Sequence, residues 1–421
     1  MSNLSELFPI EVSTHNLYFH EEASIFSLDS FDDSVATGGG DGVVRLWKLQ
    51  LDEMTHLDYK YTTALNSSIK FIYKSDIIVH NKAVNCVRFN KQGILASSSD
   101  SGKVIINYNK TKVLRDSDGL DCYEIMWIDD KLLVGLSNGK IEEYYVDRED
   151  VERSKMVKTY SVHGDIIQGM SYNEKYKLIM TFSKDRTSKI LDYELKEEKK
   201  AKAPTKDTVG ETTQKTSKKM DTVGATTQST ERKACAKKQL TKSKKTDTKN
   251  VSGQSASKEV SKSIDTNEDA AQTKTPKNVE SANVTSLKNT KLKPKKLDIL
   301  ETFSLNSSGR SFFRRGSFST SGLMAYIPNS KHNSLSVLNF PFTESYWAYQ
   351  MGPFNSEVIR VLDNEKYLFI LCKTSLYIYK DFVLLSCIEN ITFKSVTDAT
   401  LIGNVLLITA LDGFIASFRY N

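Results

Sequence analysis

A short pattern recurs along this chain and leaves few folds open to it. In its clearest copy, His80–Tyr108, a His precedes an alternating apolar run (Ala83, Val84, Cys86, Val87, Phe89). A turn at Lys91-Gln92-Gly93 follows, then a small-residue run, Ile94–Ser99, a tight turn at Asp100-Ser101-Gly102 and a third apolar run, Val104–Tyr108. Period-two runs of about four to six residues, separated by Gly, Asp and Asn turns, predict short antiparallel strands. A single meander of this size is not stable alone, so it has to be one of several stacked copies.

The copies are VATGGGDGVVRLWKL (35–49), VGLSNGKIEEYYV (134–146), MTFSKDRTSKILDYEL (180–195) and LITALDGFIASFRY (407–420). In each, an aromatic residue or Leu stands six positions after the turn acid or Asn: Trp47 after Asp41, Tyr144 after Asn138, Leu191 after Asp185, Phe418 after Asp412. Three histidines keep the same phase, since His20, His80 and His163 lie 21, 20 and 22 residues before Asp41, Asp100 and Asp185. Each such His is expected to hydrogen-bond the turn acid of its own unit, because an unpaired buried polar group is costly. This is the phase of the WD repeat, four strands per propeller blade, although only Trp47 and Asp192 keep the eponymous residues. The expected fold is all-β: a seven-bladed WD-repeat β-propeller. Further copies are read at 310–340, 358–379 and 391–420, and residues 7–16 are expected to complete the last blade, which removes exposed sheet edges. Residues 51–76 read as a polar loop.

Composition breaks the chain in one place. Between Lys196 and Lys296 there is no Phe, Trp or Tyr, and 25 Lys+Arg face 12 Asp+Glu, a net of +13. The whole chain carries +6, so the other 320 residues carry −7. A segment this poor in apolar residues cannot offset its ordering entropy. The predicted organisation is therefore a closing strand and blades one to four over 1–195, a disordered basic Lys/Ser/Thr-rich insert over 196–297, between blades four and five, and blades five to seven over 298–421.

No catalytic constellation is present, and the chain reads as a non-enzyme with neither cofactor nor metal. The run Gly38-Gly39-Gly40-Asp41-Gly42 has no following helix and no Lys-Ser/Thr, so it is a blade turn and not a phosphate loop. The five Cys (86, 122, 235, 372, 387) form no Cys-x-x-Cys pair and point to reduced core thiols. MSNLSELFPIEVS has no basic n-region or apolar h-region, and no apolar run approaches the roughly 18 residues of a membrane span. A soluble intracellular protein without membrane contact is expected. Two features go beyond scaffold. The stretch Phe312-Phe313-Arg314-Arg315 either offers bidentate guanidinium contacts to a partner's carboxylates or phosphates or wedges and braces the blades internally. The insert's clusters, Lys242, Lys244 and Lys245, then Lys291, Lys293, Lys295 and Lys296, suit nuclear import or DNA-backbone contact, or form a solvated linker.

The segments HNKAVNCVRFNKQGILASSSD, HGDIIQGMSYNEKYKLIMTFSKDR and RSFFRRGSFSTSGLMAY, in that order, resemble the WD-repeat middle subunit of chromatin assembly factor 1, as does the opening STHNLYFHEEASIFSLD. The Phe-Phe-Arg-Arg-x-Ser-Phe stretch is shared with HIRA-type histone chaperones, which continue for hundreds of residues past their propeller. The resemblance implies a nuclear, non-catalytic scaffold in a complex that deposits histones H3 and H4 on newly replicated DNA. Its partners would be the complex's large subunit and its histone-binding WD-repeat subunit. In that family a basic motif beyond the propeller recruits an Asf-type donor chaperone, and this sequence has no residues in that place after the last blade. A HIRA-type role and a ubiquitin-ligase substrate receptor are the alternatives.

Overall fold

The computed structural model describes residues 11–15, 19–52, 61–63, 67–117, 119–193, 297–306, 311–340 and 347–420. They form seven antiparallel sheets of four strands, the last extended by a fifth. Blade one is Ile25–Phe31, Ser34–Gly39, Val44–Leu51 and Ile69–Ile77; blade two is Val84–Phe89, Leu95–Ser99, Val104–Asn107 and Thr111–Arg115. Blade three is Cys122–Ile128, Lys131–Leu136, Lys140–Tyr145 and Lys155–Ser161; blade four is Ile167–Asn173, Leu178–Ser183, Thr187–Asp192 and Asp298–Ser304. Blade five is Ser317–Phe318, Met324–Pro328, Leu335–Asn339 and Trp347–Met351; blade six is Val358–Asp363, Leu368–Cys372, Ser375–Lys380 and Val383–Glu389. Blade seven takes Val396–Ile402, Val405–Ala410 and Ile415–Arg419 from the end of the chain. The first strands of successive blades touch all the way round, and blade seven's meets blade one's, so the ring closes.

Closure uses the strand expected from the sequence. Glu11–His15 pairs antiparallel with Ile415–Arg419, with Val12 opposite Phe418. Glu11 is buried and accepts from the hydroxyls of Ser13 and Ser67 at 2.9 and 2.6 Å, from the Ser68 amide at 3.0 Å, and from the Ser68 hydroxyl. Each seam between neighbouring blades holds its own apolar cluster. Phe369, Leu371 and Ile378 of blade six, for example, pack on Leu406, Ile408 and Phe418 of blade seven. Alternation within each strand supplies both faces, so one blade serves two seams.

Three expectations are corrected. The insert does not separate blades four and five: Thr187–Asp192 pairs with Asp298–Ser304 in one sheet, Asp192 opposite Asp298. It therefore lies inside that sheet, which is the fourth counted from Ile25 and the fifth when the closing sheet is counted first, and residues 298–304 belong to it. The loop read at 51–76 supplies blade one's fourth strand, Ile69–Ile77, and the short strand Tyr61–Thr63, which joins the closing sheet parallel to Glu11–His15. Ile69–Ile77 is exposed along most of its length, so no core face imposes an alternating pattern on it. No helix among the described residues is long and apolar enough to cross a membrane.

Candidate functional site

Each blade's first strand lines the ring's centre, and four of them place a charged residue there: Arg88, Glu124, Arg360 and Asp398. The fifth blade contributes differently. Its first strand is only Ser317–Phe318, and the residues before it cross between blades four and six. The Arg314 amide donates to the Gln168 carbonyl at 3.2 Å, and the Arg315 amide to the Ile359 carbonyl at 2.8 Å; the Val361 amide donates back to the Arg315 carbonyl at 3.0 Å. Room for this crossing comes from Gly169, where a Cβ would stand 2.0 Å from the Arg314 carbonyl oxygen.

The crossing drops Arg315 into the centre. Its Nε donates to Glu124 Oε2 at 2.6 Å and its Nη1 to the Thr397 carbonyl at 2.8 Å, with Asp398 Oδ2 at 3.6 Å. Arg88 Nη1 donates to Asp398 Oδ2 at 2.8 Å, and its Nη2 to Glu124 Oε1 at 3.3 Å. Ser27 donates to Asp398 Oδ2 at 2.7 Å, and Arg360 Nε stands 3.5 Å from Asp398 Oδ1. Burial alone would raise the Asp398 carboxyl, but Arg315, Arg88 and Arg360 outweigh it and hold it far below the usual carboxylate range. Asp29 goes the other way: burial raises it against the pull of Arg88. Phe313 covers the cluster, its ring 4.3 Å from the Arg315 guanidinium carbon.

The structure thus divides the Phe-Phe-Arg-Arg stretch. Phe313, Arg314 and Arg315 are buried, which gives them the bracing arrangement and leaves no surface of theirs for a partner; Phe312 is 63% exposed. The lysines 242, 244, 245, 291, 293, 295 and 296 lie outside the described residues. Of the blade histidines, His20 Nδ1 meets Asp41 at 2.7 Å and His163 Nδ1 meets Asp185 at 2.9 Å, while their Nε2 atoms meet Thr37 and Thr181. Trp47 Nε1 donates to the same Thr37 hydroxyl at 3.0 Å. His80 differs from expectation. Its ring meets Ser99 and Ser97 at 2.9 and 2.8 Å, and Asp100 accepts from Asn85 at 2.6 Å instead. A serine one position before the turn acid intercepts the ring nitrogen.

What this centre can do is hold blades one, two, three, six and seven to one charged knot. Cys86 beside it is pushed up to about 12, chiefly by burial, so its thiol is not a nucleophile near neutral pH. The members other than Arg315 were missed in the sequence. Their signal is a lone charge inside an apolar run, as in CVRF (86–89), YEIM (123–126), VIRVL (358–362) and VTDATL (396–401).

Against this geometry, the WD domain, G-beta repeat model matches residues 11–48. The chain carries a WD40 repeat. Over 224 residues, 42% of its length, it is 26% identical to a chromatin assembly factor 1 subunit of Saccharomyces cerevisiae, covering 45% of that protein. It is 28% identical over 192 residues, also 42% of the chain, to the chromatin assembly factor 1 subunit FAS2 homolog of Oryza sativa subsp. japonica, covering 35% of it. A match to Protein HIR1 of Yarrowia lipolytica is 27% identical over 192 residues, 38% of the chain and 17% of that protein. The matches span less than half the length of these relatives.

Two buried histidines give this propeller a pH dependence. Burial pushes His80 down to about 4, with Lys103 adding to it, and pushes His15 down to about 4 against the pull of Glu11. Between about pH 6.5 and 4 the unfolded chain takes up protons that the folded one refuses, so stability is full above 6.5 and falls as pH drops. Each His accounts for roughly 3 kcal/mol at the acid end. Thermal melts between pH 7 and 4 should show that decline, and His80→Gln should remove about half of it. A flat profile would contradict the assignment.

Proposed function

We propose that this chain is a non-catalytic scaffold subunit of a nuclear complex that places histones H3 and H4 on newly replicated DNA. The observation that carries the reading is the similarity to the yeast chromatin assembly factor 1 subunit, which extends over 224 residues. A centre built of paired, buried charges supports a rigid presenter of surfaces, since such groups are spent on one another. In this reading the partners are the complex's large subunit and its histone-binding WD-repeat subunit, with histones held through them, and the basic insert adds DNA contact. Affinity purification of the tagged full chain from nuclear extract tests it. Recovery of a large subunit, a second WD-repeat protein and histones H3 and H4 is expected; recovery of cullin adaptors in their place would end it.

The HIRA-type, replication-independent role is the second reading, favoured by the Protein HIR1 match and separated by the partner set. Within the crossing segment, Phe312 is the side chain left to touch a partner. Phe312→Asp is expected to weaken recovery of the large subunit at least tenfold while leaving the melting temperature within about 1 °C. An unchanged yield would remove Phe312 from the interface.

A further inference from the structure

On the face that carries the turns between first and second and between third and fourth strands, a groove of about 300 Å³ follows the seam of blades five and six. Its walls join aromatic and acidic side chains: Tyr326, Tyr367 and Phe382 with Asp363, Glu365 and Asp381. Asp363 is held in place by the Tyr326 hydroxyl at 2.7 Å, the Thr320 hydroxyl at 2.9 Å and the Glu365 amide at 3.0 Å. All three donors are neutral, so its negative charge is fixed and not cancelled. Among the described residues none of the three carboxylates is ion-paired, and the one cation of the lining, Lys366, lies 5.0 Å over the Tyr367 ring. The groove therefore carries a net charge of about −2 on an aromatic floor.

The backbone beside it is held where the side chains disfavour it. Asp381 and Phe382, the two-residue turn between Ser375–Lys380 and Val383–Glu389, have φ of +50° and +61°, and Glu365 has +69°. Turns with two left-handed residues select Asn-Gly or Asp-Gly, and a bulky residue at positive φ is an outlier that costs on the order of 1 kcal/mol or more. The strained position sets the Phe382 ring into the groove's lining, 5.8 Å from the ring of Tyr349, which is 52% exposed. Val383 and Leu384 next to it are 62% and 48% exposed, which extends an apolar shelf along the blade's outer strand.

From this charge and shape we infer that the groove docks a segment of a partner polypeptide in which a Lys or Arg stands beside aliphatic residues. The cation enters between the carboxylates over the aromatic faces, which attract it electrostatically, and the aliphatic neighbours lie on the shelf of Tyr349, Val383 and Leu384. A phosphate-bearing ligand is disfavoured by the same carboxylates. Docking at this groove does not depend on the chromatin reading and survives its failure.

The test is selection of a random dodecapeptide phage library on the immobilised full chain, followed by fluorescence-polarisation affinities of the enriched peptides. Enriched peptides should share a Lys or Arg next to an aliphatic residue. Phe382→Gly should weaken their binding at least tenfold without lowering the melting temperature, because glycine suits a left-handed turn. Glu365→Lys with Asp381→Lys should weaken binding at least as much. No enrichment, enriched peptides without a basic residue, or equal affinity for the full chain and the variants would each overturn the proposal.

Discussion

Arg315→Met is expected to lower the melting temperature by about 10 °C or to yield insoluble chain. Methionine matches the length and apolar stem of arginine, so the change removes charge and hydrogen bonds more than volume. It leaves Glu124 and Asp398, 2% and 0% exposed in their side chains, short of their central cation. Removing one partner of a buried ion pair costs about 3–5 kcal/mol, much of it the penalty of the charge left behind. At roughly 2–4 °C per kcal/mol for a chain of this size, the shift follows. The cost should be non-additive. Asp398→Asn with Arg315→Met should destabilise less than the sum of the two single changes, since the double variant strands one charge fewer. Melts of the three proteins followed by circular dichroism check this. A shift below about 2 °C for Arg315→Met would mean that the knot does not brace the ring.

The second large effect concerns residues 194–296. Replacing them with a short Gly/Asn turn should leave the propeller's melting temperature nearly unchanged, because Asp192 and Asp298 are already paired across neighbouring strands. Shortening a closed loop changes its entropy only slowly with length, by about 0.6 kcal/mol per halving. DNA affinity should behave otherwise. The insert carries +13 and the other 320 residues −7, so duplex binding is expected to fall at least hundredfold. Phosphate contacts release counterions, and about six engaged lysines give a log–log salt slope of about −5. Salt titrations of both proteins are the check. Equal affinities and slopes would assign any DNA contact to the propeller.

The sequence made the blades readable and their centre obscure, for one physical reason. A blade's turns, its His and its alternating runs lie within about 30 residues of each other, and the requirement to bury one face imposes a local pattern. The His20–Asp41 and His163–Asp185 pairs and the closing strand were legible on those terms. Ile69–Ile77 was not, since an exposed outer strand is under no such pressure. The central partners are remote in sequence: Arg88 and Asp398 are 310 positions apart, Arg315 and Glu124 191. Each alone is a single charge in an apolar run, and only the closed ring shows that they neutralise one another. Arg315 was singled out because the Phe-Phe-Arg-Arg stretch is itself distinctive, but its direction, inward, depended on the crossing between Gln168 and Ile359.

Whether this propeller serves histone deposition behind replication is tested most directly by capture of nascent DNA. Cells carrying the tagged chain are pulsed with a clickable thymidine analogue, and the labelled DNA is isolated immediately or after a chase. A replication-coupled scaffold should be strongly enriched on DNA isolated at once and lost from it after the chase. Equal recovery at both times, or none on labelled DNA, would contradict that role.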